Sequence, residues 1–113
     1  MLNLAHQRMV TIRAPMRGGG GYAFAREGRE VPASIQPLRG DLAQREYGAQ
    51  PADLRLMLCG LCGEPAVGDG VCVDVPGGAS PDFRVVYAAR WPGHWEAHLR
   101  LIPPAERGDG AWA

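Results

Sequence analysis

Lysine is absent from this 113-residue chain, and all twelve basic residues are Arg. Against them stand twelve Asp plus Glu, so the formal charge is zero and no run of like charges marks an acidic or basic tail. Tight binding to nucleic acid is therefore not suggested by charge. Arginine keeps its charge and presents a planar set of donors that suits protein interfaces, although a GC-rich genome produces the same bias. Serine is nearly missing as well. Ser34 and Ser80 are the only two, and neither sits in a Gly-x-Ser-x-Gly elbow, so no Ser-His-Asp triad is available and no catalytic residue is expected. No apolar run approaches the roughly 20 residues that cross a bilayer, and Met1 to Val10 lacks the apolar segment of a signal peptide. The expectation is synthesis in the cytoplasm with no membrane partner. Three cysteines, Cys59, Cys62 and Cys72, are too few and too uneven for a disulfide framework, which fits a reducing compartment.

Glycine and proline are plentiful instead. Sixteen Gly and ten Pro are spread through a chain that is 46% hydrophobic, which argues for many turns around one modest core. The length supports one domain, residues 1–113, with a core over about residues 8–102. Six short strands are expected. Arg8 to Arg13 is β-branched and is shut off by Pro15 and Gly18 to Gly21. Glu30 to Leu38 alternates Val31, Ala33 and Ile35, with prolines that point to an edge position. Ala52 to Leu58 offers Leu54, Leu56 and Leu58 as an inward face, and Val71, Val73 and Val75 follow a Gly68-Asp69-Gly70 turn. Phe83 to Trp91 places Phe83, Val85, Tyr87, Ala89 and Trp91 on one face. After a Pro92-Gly93 turn, His94 to Ile102 turns Trp95, Ala97, Leu99 and Leu101 inward and His94, Glu96, His98 and Arg100 outward. A short helix is expected over Asp41 to Tyr47, and residues 103–113 read as a tail with Trp112 as its anchor. Such a set favours a small antiparallel β-barrel or sandwich, because closure removes exposed edges.

Two segments invite a functional reading. Cys59-Gly60-Leu61-Cys62-Gly63-Glu64 has the spacing of half a zinc site, and Cys72 with His94 or His98 are the further ligands to consider. On a strand, His94 and His98 stand about 13 Å apart, too far to share an ion. A loop carrying small thiols is the simpler reading, so neither a metal nor another cofactor is assigned. Thiol redox work would need the pair at a helix N-terminus, and no such setting is visible. The second segment is the long loop over residues 15–29. Gly18, Gly19, Gly20 and Gly21 lack the Gly-Lys-Ser/Thr ending of a phosphate loop. Arg17, Arg26 and Arg29 flank them, with Tyr22 and Phe24 between. This loop is the candidate inter-subunit or channel contact; a solvated loop and direct contact with DNA are the alternatives.

In order of features, the chain resembles the phage head-tail joining family, which includes head-closure or stopper proteins. The resemblance rests on the opening strand Met9-Val-Thr-Ile-Arg13, the Gly-containing loop and Ala33-Ser-Ile-Gln-Pro-Leu-Arg-Gly40. It continues through Val67-Gly-Asp-Gly70, Phe83-Arg-Val-Val-Tyr87 and the closing strand His94 to Leu101. The Cys59 to Glu64 segment departs from the family, where a plain turn is usual. The resemblance implies a virion protein at the head-tail interface, made in the host cytoplasm and assembled as a homo-oligomeric ring, with twelvefold symmetry the expectation. Its neighbours would be a portal or adaptor protein on the head side and a tail terminator or tail protein on the other. Packaged DNA would pass through the ring or be blocked by it. A tail-completion component and a small zinc-binding cytosolic module, resting on Cys59 and Cys62, are the alternatives.

Overall fold

The structure is a computed structural model and describes residues 7–16, 23–38 and 53–107. Six strands close into an antiparallel barrel: β1 (Gln7–Pro15), β2 (Phe24–Pro37), β3 (Leu54–Cys59), β4 (Gly70–Cys72), β5 (Phe83–Trp91) and β6 (His94–Leu101). Around the barrel the order is β1-β2-β3-β6-β5-β4, and the pairing of β4 with β1 completes the circle. The expected all-β barrel is thus the observed architecture. Alternation fills it: Val10 and Ile12, Val31 and Ala33, Met57 and Cys59, and Ala97 and Leu99 all point into one core cluster with Phe83.

Several local expectations give way to tertiary contacts. β2 begins at Phe24 rather than Glu30. The irregular stretch Arg26-Glu27-Gly28-Arg29 is drawn into pairing with β1, where Ile12 faces Arg29 and Arg13 faces Gly28. The loop expected over residues 15–29 is accordingly shorter, and the amide of Met16 closes its neck by donating to the carbonyl of Ala23 at 2.9 Å.

β3 turns Met57 and Cys59 inward, not the leucine set. Arg55 shares their parity, with its guanidinium 5.4 Å from the centre of the Phe83 ring. Leu56 and Leu58 are half-buried on the other face, and Leu54 is fully buried outside the main cluster. Because both parities of this strand are apolar, alternation alone cannot choose between them.

β5 has the expected bounds but not the expected face. A register shift between Val85 and Tyr87 marks a β-bulge that moves the inward set from Phe83 and Val85 to Ala88, leaving Tyr87 and Trp91 exposed. On β6 the outward His98 is buried at 7% exposure, against expectation, because the Tyr87 ring lies over it with centroids 4.5 Å apart.

β4 stops at Cys72, and Val73 to Val75 bend away. The chain after β6 makes a 3₁₀ turn over Pro104–Glu106, with Ile102 buried ahead of it. The helix expected over Asp41 to Tyr47 and the anchor Trp112 lie outside the described residues.

Candidate functional site

The residues that attracted attention in the sequence fall into two groups. Arg17, Gly18, Gly19, Gly20, Gly21 and Tyr22 lie outside the described residues. Phe24, Arg26 and Arg29 belong to β2, and two of them serve the barrel itself. Phe24 is buried at 5% exposure beside Gly70, where a Cβ would stand 2.8 Å from the Phe24 ring and 2.7 Å from Pro81. The glycine is what lets that ring and that proline pack closely on β4. Arg29 crosses from β2 to the Cys59–Glu64 segment, donating to the carbonyls of Gly63 at 2.6 Å and Glu64 at 3.0 Å. Arg26 is exposed and makes no such bridge among the described residues, while its carbonyl accepts from the guanidinium of Arg13.

Arg13 is a charged residue that the alternation pattern did not single out, buried at 5% exposure. Its guanidinium joins the carbonyl of Arg26 on β2 to that of Gly77 in the loop after β4. The same loop is held by Asp82, whose two carboxylate oxygens accept from the amides of Val73 and Asp74, and by the Cys72 thiol, which donates to the carbonyl of Ala79 at 3.6 Å. Burial pushes the Cys72 thiol pKa up; hydrogen bonding and the charge of Arg13 oppose this, and the Asp82 carboxylate adds to it. These contacts describe a braced loop between β4 and β5.

The Cys-x-x-Cys segment forms a 3₁₀ turn over Leu61–Gly63 directly after β3, with Glu64 in the left-handed region at φ 41°. Arg29 pins it from β2, and the indole Nε1 of Trp95 donates to the carbonyl of Leu61 at 3.1 Å from β6. The thiols have different surroundings. Cys59 is fully buried against Gly63, and burial raises its pKa despite the nearby charge of Arg29. Cys62 is exposed. Among the described residues no group of three or more His, Cys, Asp or Glu gathers to hold a metal. His94 and His98 sit on β6, two outward positions apart with Glu96 between them, and the Nε2 of His98 lies 3.4 Å from the Glu96 carboxylate.

Two surface depressions accompany these features. Beside the 3₁₀ turn lies an apolar groove of about 350 Å³ floored by Val31, Pro32, Gly60, Cys62 and Gly63, with Gln7 and Glu30 at its rim. The exposed Met9 pairs with Pro32 on the same outer wall. Beside the start of β3, a polar cleft of about 390 Å³ brings Arg84 and Arg100, directly opposite each other on β5 and β6, together with Asp53 and Glu106. Two guanidiniums and two carboxylates balance there, so the cleft is mixed in sign rather than basic. What these surfaces offer is contact: apolar side chains at Met9, Leu61, Tyr87 and Trp91 stand exposed on the strands and on the turn after β3. No protein-family model, no curated protein and no solved structure matches the chain.

Proposed function

We propose that this chain is a structural subunit of a tailed-bacteriophage virion, one of a ring of copies at the head-tail interface that retains packaged DNA and lets the tail attach. The observation that carries the reading is the closed barrel with its β1–β2 ribbon, whose hydrogen-bonded neck at Met16 and Ala23 leads into the Gly-rich connection 17–22. A closed barrel leaves little strand edge to extend, so neighbours meet it mainly through side-chain surfaces and loops. The exposed apolar residues are spread around the wall as side-to-side assembly requires. Zero net charge suits a lumen that lets DNA slide, because a strongly basic wall would hold the phosphates.

In this reading the portal or adaptor lies above the ring, the tail terminator or another tail protein below it, and the connection 17–22 reaches a neighbour or the channel. Deleting Gly18 to Gly21 in the phage that encodes the protein is the test. The barrel should still fold, while electron micrographs show heads that have lost DNA or lack tails. Normal yields of filled, tailed particles would remove the role given to this connection, and normal particles from a full knockout would remove the reading.

A further inference from the structure

The ring reading leaves open which faces of the barrel meet, and the positions of one aromatic side chain and one groove select them. Trp91 ends β5 at the Pro92-Gly93 hairpin turn and is 49% exposed. An indole in water on a rigid hairpin is the kind of residue that anchors interfaces. The apolar groove beside the 3₁₀ turn, about 350 Å³, has room for such a ring.

Knob and groove stand on opposite walls at one level. In the circle β1-β2-β3-β6-β5-β4, β2 and β5 are three places apart, the largest separation six strands allow. Both features also lie at the same end of the barrel. Cys59, where β3 gives way to the turn, pairs with Trp95, one residue beyond His94, the partner of Trp91. A chain cannot fill its own groove from the far wall, but a second copy set beside it can. Charge agrees with that order. Glu30 rims the groove and Arg90 precedes Trp91, both are exposed, and neither has an ion-pair partner among the described residues.

We propose that the Trp91 hairpin of one copy seats in the Val31–Pro32–Gly60–Cys62–Gly63 groove of the next, with Arg90 meeting Glu30 across the contact. Such a contact is heterologous, and repeated around an axis it closes a ring of side-by-side barrels. The proposal rests on the ring reading and supplies its interface.

Cys62 provides the test, since it lines the groove with an exposed thiol while Cys59 and Cys72 are buried. In full-length Trp91→Cys, brief treatment with diamide should join the introduced thiol of one copy to Cys62 of the next. Two S–H bonds are replaced by one S–S bond as diamide takes up the two electrons and two protons. A ladder of dimer, trimer and higher species is expected, and it should vanish in the Trp91→Cys, Cys62→Ala double variant. Trp91→Ala should weaken association about thirtyfold, as an interface anchor does. Glu30→Arg and Arg90→Glu should each weaken it, and together restore it. The circular dichroism spectrum of each variant, unchanged, shows that the fold is kept.

Wild-type rings whose Trp91→Ala counterpart assembles equally well, with no cross-linked ladder from Trp91→Cys, would overturn this contact and leave the ring reading standing. A wild-type chain that remains monomeric both at high concentration and on particles would overturn both.

Discussion

Asp82 holds Val73 off the sheet: its Oδ1 accepts from the Val73 amide at 2.8 Å, and its Oδ2 accepts from Asp74 at 2.9 Å. Continuing the β4–β5 register past Val71 and Phe83 would set Val73 opposite Pro81, which has no amide hydrogen to give. A ladder pair there would leave the Val73 carbonyl without a donor; the Val73 and Asp74 amides turn to the Asp82 carboxylate instead, and β4 ends after three residues. Removing it strands two amide donors in a site where Asp82 is only 2% exposed. Asp82→Ala should therefore cost about 2 to 4 kcal/mol, with Asp82→Asn, which keeps one oxygen, in between. Urea unfolding with an unchanged m value measures this; a midpoint equal to wild type would show that the loop is held by other contacts.

Arg29 makes a comparable bridge from β2 to the turn after β3. Arg29→Ala should destabilise by about 1 to 3 kcal/mol, because two turn carbonyls lose a charged donor. It should also speed labelling of Cys59, the thiol sealed beneath that turn. Thiol counting with Ellman's reagent reads both effects: the native wild-type chain should show one fast thiol, Cys62, and all three after unfolding. Three fast thiols in the native chain would contradict the buried placements.

The buried thiols also set a pH dependence. Cys59 and Cys72 both have folded pKa values raised above the ordinary 9.0, mainly by burial. Between the ordinary and the raised values the native chain holds more protons than the unfolded chain, so stability falls as pH climbs through that window. Below the ordinary thiol value this contribution is fully present. Urea midpoints measured from pH 7 to pH 10 should decline above about pH 9, and less steeply in a Cys59→Ala, Cys72→Ala double variant. Equal slopes in the two proteins would exclude the thiols as the source.

Gly70 tests how closely Phe24 and Pro81 pack on β4. A Cβ there would come within 2.7 Å of Pro81 and 2.8 Å of Phe24. Gly70→Ala should lose about 1 to 3 kcal/mol through overpacking, whereas Gly78→Ala, which meets nothing within 4 Å, should change little. Thermal unfolding of the two variants side by side distinguishes them, and equal midpoints would refute the close packing.

The fold class was legible because alternation and turn residues are both strong here. β5 starts and stops where Pro81 and Pro92-Gly93 place it, and β6 begins at His94 as the turn requires. Faces were harder to read than bounds. A single extra residue between Val85 and Tyr87 reverses the inward parity of β5, and Val86, Ala88 and Ala89 are apolar enough to fit either register. The Phe24 to Arg29 stretch lacks alternation, so its strand character comes only from pairing with β1 and from the Arg13 bridge. The interior positions of Arg13 and Asp82, each secured by carbonyls or amides distant in sequence, leave no local trace. On the candidate site, composition drew attention to the Gly-rich loop and the Cys-x-x-Cys turn. The groove beside that turn is formed by three separate segments, and no single stretch of sequence announces it.

The most direct test of the central claim is a cryo-electron-microscopy reconstruction, without imposed symmetry, of the head-tail vertex of particles that carry this protein. A ring of 12.1 kDa β-barrels between the portal and the tail, in twelvefold arrangement, is the expected result. A vertex without such a ring, or the barrel located elsewhere in the particle, would contradict the account.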